Sequence, residues 1–415
     1  MDRIPLADHR DDAIALLAAH RTREIVPVTG ALLGRVAAAD VRARTDVPAA
    51  DNSQMDGYAV AAADLAGDGA AVRLELAPAI AAGAGVRDHV PGTATPIMTG
   101  APVPRGADLV VPVEESGPGR FEGAPSAGEE IGLRPAVASA GRFVRRAASD
   151  TRAGDLILRE GAVLTPARIA HLAACGIDRL RVLAPMRALV LSTGSEVQGT
   201  STALREGGAF DANGPGLAAA LVDAGAEVVG AAHVVDDPAE LLRTLECLAA
   251  ATGADLVVSS GGVSAGAFEV VRQAAGLPGV RLAFPKVAMQ PGGPQGIGTV
   301  EADGRRLPWL AFPGNPVSAL LSLELVARPA LGAPPRTTLR LPVRLDEPAP
   351  SPRDLEQYRR ARLLPSGEVR LVSGPSSHLL GALALSDALV RVPAGVDMVN
   401  DGDMLETLLL PGAGA

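Results

Sequence analysis

The sequence predicts a multidomain α/β protein, and three features carry the prediction. At 415 residues the chain is long for one hydrophobic core. From Arg187 onward strand-like apolar runs alternate with helical runs, the βαβα rhythm of a parallel sheet with helices on both faces. On either side of that segment the texture changes to short apolar runs broken by Gly and Pro, the mark of small β domains.

Taken in order, residues 7–20, ADHRDDAIALLAAH, set apolar positions at helical spacing, with acidic residues early where the helix dipole favours them. From Asp46 to Val137 runs such as AVRLELAP and ADLVVPVEES predict an all-β insert. A helical signal returns in TPARIAHLAACGI, so the first domain reads as discontinuous, residues 1–45 plus 138–178 around an insert at 46–137. Residues 179–333 hold the alternating segment. RALVLSTG, AEVVGAAHVV and ADLVVSS read as strands, GPGLAAALVDAG and PAELLRTLECLAAATG as helices, and the turn GGVSAG leads into a further helix. Residues 334–415 return to short strands, TLRLPVRL, YRRARLL, EVRLV, ALVRVP and DMLETLLL, and form a second small β domain.

Composition excludes several functions. Only 2% of residues are aromatic, with one Trp, so the cores are built from Ala, Val and Leu, and rings for stacking single-stranded nucleic acid are lacking. The formal net charge is −9 and the arginines are scattered, which argues against any nucleic-acid partner. Cys175 and Cys247 fit neither a disulfide framework nor a metal spacing and read as buried small apolar residues. The start, MDRIPLADHRDD, has no apolar signal region, and no apolar run reaches the ~18 residues of a membrane span. No membrane association and a cytoplasmic location are expected.

Ligands of an open parallel sheet bind beyond the carboxyl ends of its strands. Three loops fall there: STGSE (Ser192–Glu196), SSGGVSAG (Ser259–Gly266) and FPGNPVSA (Phe312–Ala319). Each mixes Gly with Ser, Thr or Asn at a strand-to-helix turn, so backbone N–H groups can face an anion unobstructed. Three in one segment point to a phosphate-bearing ligand. No GxxxxGK[ST] or HExxH occurs, and no GxGxxG follows the first strand. GVSAG (Gly262–Gly266) matches the G-x-S-x-G elbow of hydrolases, but the only downstream His is His378, in the last domain, and no HGGG-type loop is present.

Carboxylates gather at the same sheet edge: Glu196 in the first loop, Asp236 and Asp237 after AEVVGAAHVV, and Glu269 after GGVSAG. Hard oxygen donors beside a phosphate suit Mg²⁺. Acidic residues at helix starts also serve as caps and dipole partners, and both readings stand.

DNSQMDGYAV (Asp51–Val60), IMTGAPVPRGAD (Ile97–Asp108), LSTGSEV (Leu191–Val197), SSGGVSAG and FPGNPVSALL together resemble the molybdopterin molybdenumtransferases of the MoeA type, a family also represented by the E domain of gephyrin. The resemblance spans nearly the whole chain. It implies four domains in an elongated protomer: a helical and extended linker domain, a β-rich insert, a central molybdopterin-binding, MogA-like α/β domain and a C-terminal small β-barrel. It also implies a homodimer, whose cleft lies between the α/β domain of one subunit and the MDGYAV-bearing domain of the other. The family's reaction inserts molybdate into adenylylated molybdopterin and releases AMP, assisted by Mg²⁺. The molybdopterin adenylyltransferase and molybdoenzyme apoproteins are the partners implied.

Carried over by position, Asp56 and Thr99 would reach across the dimer to the ligand. Glu196, Asp236 and Glu269 are the implied catalytic and metal-holding carboxylates; Glu269 stands where the family usually has Asp, one methylene shorter. Thr193, Gly194 and Ser195, then Gly261, Gly262, Val263 and Ser264, then Pro313, Gly314, Asn315 and Ser318 would bind the pterin nucleotide. Lys286, the only lysine in the chain, and Arg360 with Ser377 or its neighbour Ser376 would contact anions. Two departures stand out. The family's KxxxKPGKP reads here from Lys286 with Gln290 and Gly293 at the later lysine positions, and its Gly-Glu-Asp reads Ala148-Ser149-Asp150. The missing cations keep two alternatives open: a divergent paralogue that binds or carries a pterin cofactor without efficient metal insertion, and a non-enzymatic dimeric scaffold.

Overall fold

The computed structural model describes residues 3–65, 71–121, 126–201, 203–264, 266 and 269–412. The chain forms two compact units, one of residues 1–24, 34–36 and 182–415, the other of residues 25–33 and 37–181. Among the described residues no helix is long and apolar enough to cross a membrane.

The larger unit begins with helix α1 (Leu6–Ala18), which buries Leu6, Ala13 and Leu17 and leaves Asp11 and Asp12 exposed. The alternating segment then follows. Strand β1 (Arg187–Thr193) leads to α2 (Asn213–Asp223), β2 (Glu227–Val234) to α3 (Pro238–Thr252), and β3 (Leu256–Ser260) to the short α4 (Val270–Ala274). After these come β4 (Val280–Ala283), β5 (Gly296–Ala302), β6 (Arg305–Phe312) and α5 (Pro316–Ser322). The strand order is β2-β1-β3-β6-β5-β4.

Successive strand residues point to opposite faces, so each central strand feeds two cores. Ala188, Val190, Leu256, Val258, Leu310 and Phe312 join α1, α2 and α5 on one face. Leu189, Leu191, Val257, Trp309 and Ala311 join α3 and α4 on the other. Burial on both faces is why these strands read as unbroken apolar runs.

The sheet is mixed, which corrects the expectation of a parallel one. β2, β1, β3 and β6 are parallel, whereas β5 runs antiparallel to β6 and β4 antiparallel to β5. Neither β4 nor β5 is among the strands expected from the sequence. Gly298 serves close cross-strand approach: a Cβ there would sit 1.9 Å from the Arg281 carbonyl oxygen. Cys247 is a second correction. Cys175 is buried as expected, but Cys247 is exposed, since it falls outside the Leu241–Leu245–Ala249 stripe by which α3 packs.

The C-terminal part of this unit builds a second sheet from β7 (Thr338–Arg344), β8 (Glu356–Leu363), β9 (Val369–Leu371), β10 (Ala388–Val392) and β11 (Met404–Leu409). They are ordered β8-β9-β7-β11-β10, and pairing of β8 with β10 closes the sheet into a small barrel. Val343, Ala361, Val369, Val390, Val392 and Val399 fill it. A two-residue strand, Met289–Gln290, adds to β8 in parallel.

In the smaller unit a five-stranded sheet runs in the order 109–112, 57–60, 93–97, 72–76, 130–133. The strand Gly57–Val60 is buried throughout and sets Asp56 at the sheet's rim. A helix, Pro166–Ala174, starts at Thr165, whose hydroxyl accepts the Arg168 N–H at 3.3 Å.

Candidate functional site

The carboxyl ends of β1, β3 and β6 carry the three Gly-rich loops, and these line one cleft of about 440 Å³. Hydroxyls at the strand ends tie the loops together. Thr193 Oγ1 donates to the Ser260 carbonyl at 3.1 Å, joining β1 to β3. Gly261 turns the chain out of β3 at φ +92°, and a Cβ there would lie 2.5 Å from Thr193 Oγ1. On the far side, Asn213 Nδ2 donates to the Gly314 carbonyl at 2.7 Å and fixes the third loop to the start of α2.

Carboxylates clasp the same loops. Asp236 and Ser195 bond reciprocally: Ser195 N–H donates to Asp236 Oδ2 at 2.9 Å and Asp236 N–H to Ser195 Oγ at 3.2 Å. Glu269 Oε2 accepts the Ser264 N–H at 2.9 Å. Asp237 proves to be the cap of α3, accepting N–H groups from Ala239 and Glu240 at 2.8 and 2.9 Å. The Glu240 N–H, with that of Ala239 second, holds its carboxyl below the usual aspartate value.

The cleft contains Thr193, Gly194, Glu196, Asp236, Gly261, Gly262, Val263, Ser264, Glu269, Gly314 and Asn315, all predicted from sequence. It also contains Asp211, which sequence reasoning missed. Asp211 Oδ2 accepts the Ser192 hydroxyl at 2.6 Å and Oδ1 the Gly214 N–H at 2.9 Å. The signal was available in Phe210-Asp-Ala-Asn213, a polar pair where a helix begins. Ser195 and Pro313 belong to the same loops without facing the cleft, and Ser318 is buried on α5.

Four carboxylates, Glu196, Asp211, Asp236 and Glu269, thus line the cleft among hydroxyl and amide oxygens, and no Lys or Arg is among its described lining residues. Such a donor set fits a hard divalent cation, and it repels a bare phosphate. Among the described residues no three His, Cys, Asp or Glu side chains converge closely enough to hold an ion, since Asp236 and Glu269 are turned to the N–H groups of neighbouring loops.

The anion contacts expected elsewhere lie outside the cleft. Lys286 is exposed on the connection after β4, its carbonyl accepting the Ile4 N–H at 2.9 Å. Arg360 is buried on β8, donating to the carbonyls of Ser376 and Gly374. Ser377 is half-buried, and the Ser376 hydroxyl meets His378 Nδ1 at 2.7 Å, so His378 serves no elbow at Ser264. In the smaller unit Asp56 and Thr99 are brought together and both are exposed, the carboxylate accepting from the threonine N–H and hydroxyl.

Comparison with known proteins accords with this geometry. The family model for the MoeA N-terminal region (domain I and II) matches residues 4–176, a probable molybdopterin binding domain matches 189–333, and the MoeA C-terminal region (domain IV) matches 342–410. Molybdopterin molybdenumtransferase 2 of Mycobacterium tuberculosis is 41% identical over 394 residues, covering 92% of this chain and 93% of that protein. The molybdopterin molybdenumtransferase of Synechococcus elongatus is 34% identical over 380 residues, covering 90% and 91%. A crystal structure of the molybdopterin biosynthesis MoeA protein from Pyrococcus horikosii aligns with a TM-score of 0.76 at 26% identity, over 98% of this chain and 99% of that one. With these relatives spanning both units and every loop of the cleft, the chain belongs to the MoeA family of molybdopterin molybdenumtransferases.

Proposed function

We propose that the chain inserts molybdate into adenylylated molybdopterin, yielding molybdenum cofactor and AMP, as a cytoplasmic homodimer assisted by Mg²⁺. The observation that carries the reading is the cleft itself: Gly-rich loops suited to a phosphate, lined by four carboxylates and no described cationic side chain. An anionic ligand is tolerated there only with a cation beside it. In this reading Mg²⁺ would be held by one or two of Glu196, Asp236 and Glu269 together with oxygens of the bound ligand, and it would supply charge neutralisation at the phosphoanhydride.

The chain's own residues do the rest. The loop N–H groups at Gly262 and Gly314 bind and orient the nucleotide, and the Thr193–Ser260 and Asn213–Gly314 bonds keep the loops in register for it. Asp56 and Thr99 serve the neighbouring subunit's ligand in this reading. The four-domain division, the upstream adenylyltransferase and the recipient apoproteins belong to the same proposal.

The test supplies adenylylated molybdopterin, molybdate and Mg²⁺ and measures AMP release. Molybdate-dependent AMP release supports the reading. Tight pterin-nucleotide binding with no AMP at millimolar molybdate refutes it and selects a cofactor carrier.

A further inference from the structure

With one Trp, two Tyr and six Phe in 415 residues, the chain has few rings, and nearly all the described ones are engaged. Trp309, Phe312, Tyr58 and Tyr358 are buried. Phe121 packs against Tyr58, and the guanidinium groups of Arg142 and Arg272 cover the rings of Phe143 and Phe284. Phe210 differs. It is 44% exposed, and among the described residues neither a ring nor a cation packs on it. Single exposed apolar residues are ordinary on a protein surface. The other large ones here, however, are Ile, Leu, Val or Met, and none lines the carboxylate cleft, whereas Phe210 does.

The backbone under this ring is pinned on both sides. Ala209–Phe210 pairs in parallel with Val197–Gln198. Ala209 N–H donates to the Glu196 carbonyl and Asp211 N–H to that of Gln198, both at 2.9 Å. The buried Gln198 side chain ties down the intervening loop, donating to the Ala203 carbonyl at 2.9 Å and accepting the Arg205 N–H at 3.0 Å. Asp211, the next residue, is held by Ser192 and Gly214. The exposure of Phe210 thus follows from a braced backbone, not from a loose loop. The remaining apolar lining residues that are described are Val, Ala, Pro and Gly, so only Phe210 offers a flat face the size of a base.

We propose that Phe210 is the stacking platform for a flat bicyclic heteroaromatic ring of the ligand. This rests on the molybdenumtransferase reading, whose substrate carries two such rings, the adenine and the pterin. The cleft's loop N–H groups, hydroxyls and carboxylates serve phosphate, sugar and cation, and do not distinguish a ligand with a ring from one without. A ring laid on Phe210 gains dispersion and offset-stacking contact and shields the exposed face from water. Every heteroaromatic base has such a face, so Phe210 selects ring over no ring and not one base over another.

The test measures binding to full-length wild type and to Phe210→Ala, Phe210→Leu and Phe210→Trp, each checked for wild-type Tm. The probes, with Mg²⁺ present, are AMP, neopterin and ribose 5-phosphate, which has the sugar and phosphate of AMP without the base. Phe210→Ala should weaken at least one of the two ring ligands about tenfold and leave ribose 5-phosphate unchanged. Loss for AMP assigns the adenine to Phe210, and loss for neopterin the pterin. Phe210→Trp should restore the affinity and Phe210→Leu should not, because leucine supplies apolar bulk without a flat face. Unchanged binding of both ring ligands, an equal loss for ribose 5-phosphate, or full rescue by leucine overturns the proposal. A wild type that binds neither ring ligand overturns it too. A wild type with ring-dependent binding that releases no AMP from adenylylated molybdopterin and molybdate instead defeats the molybdenumtransferase reading and leaves the platform in place.

Discussion

The carboxylate of Asp56 accepts two hydrogen bonds from one residue, Thr99: its Oδ1 lies 2.7 Å from the Thr99 nitrogen and 2.8 Å from the hydroxyl oxygen. The backbone N–H, with the hydroxyl second, holds this exposed carboxyl below the usual aspartate value. The pair is therefore fully formed above the ordinary carboxylate range and is lost as pH falls through the depressed folded value. Thr99→Val keeps the N–H and removes the hydroxyl, so Asp56 should titrate higher than in wild type yet still below a free aspartate. Carboxyl-detected NMR titration checks this. An unchanged midpoint means the hydroxyl has no part in holding the charge.

Much of this site was legible because its signals are local. Ser192–Glu196 and Ser259–Ser264 announce themselves as Gly and hydroxyl residues at the end of apolar runs, and their strands are buried on both faces. What stayed hidden depends on distant neighbours. Gly298 is a strand residue opposite Leu282, where the Arg281 carbonyl leaves no room for a Cβ, and Asp211 reaches the cleft because Ser192 and Gly214 turn it there. Lys286 was conspicuous in composition, but the connection after β4 sets it outside the cleft lining. Rarity in a composition says little about position.

Gly261→Ala tests how tightly the loops are built. The new Cβ would lie 2.5 Å from Thr193 Oγ1 and 2.8 Å from its carbonyl oxygen, at a φ of +92° that side chains seldom adopt. The variant should lose roughly 1–3 kcal/mol in urea unfolding. It should also bind AMP more weakly, since Thr193 must move out of the cleft wall. Wild-type affinity in the destabilised protein would show that the β1–β3 junction is structural only.

Asp236 and Glu269 both clasp a loop N–H, and the proposed metal role is a separate function of the same oxygens. Asp236→Asn and Glu269→Gln keep an acceptor for Ser195 and Ser264 while removing the charge. These amides should preserve Tm and AMP affinity yet raise the Mg²⁺ concentration for half-maximal turnover about 10- to 100-fold. The alanine variants should lose loop order as well, and with it nucleotide binding. If the amides turn over at wild-type Mg²⁺, the carboxylates are clasps and the cation is held elsewhere.

Asp56 and Thr99 lie on the smaller unit, and the proposed homodimer makes their action across subunits open to a decisive experiment. Asp56→Ala and Asp236→Ala each remove one part of every site in a pure dimer, so each alone should be nearly inactive. In a mixed dimer, action in trans pairs the intact Asp236 of one subunit with the intact Asp56 of the other, which rebuilds one site of two. Random one-to-one mixing of a two-fold dimer should then recover roughly a quarter of wild-type AMP release. Action within one subunit recovers none, because each subunit still carries its own defect. Differently tagged subunits, co-expressed and purified through both tags, enrich the mixed dimer and should approach half of wild-type activity. Full inactivity of that doubly tagged species removes the cross-subunit assignment of Asp56, while leaving the carboxylate cleft of the larger unit as it stands.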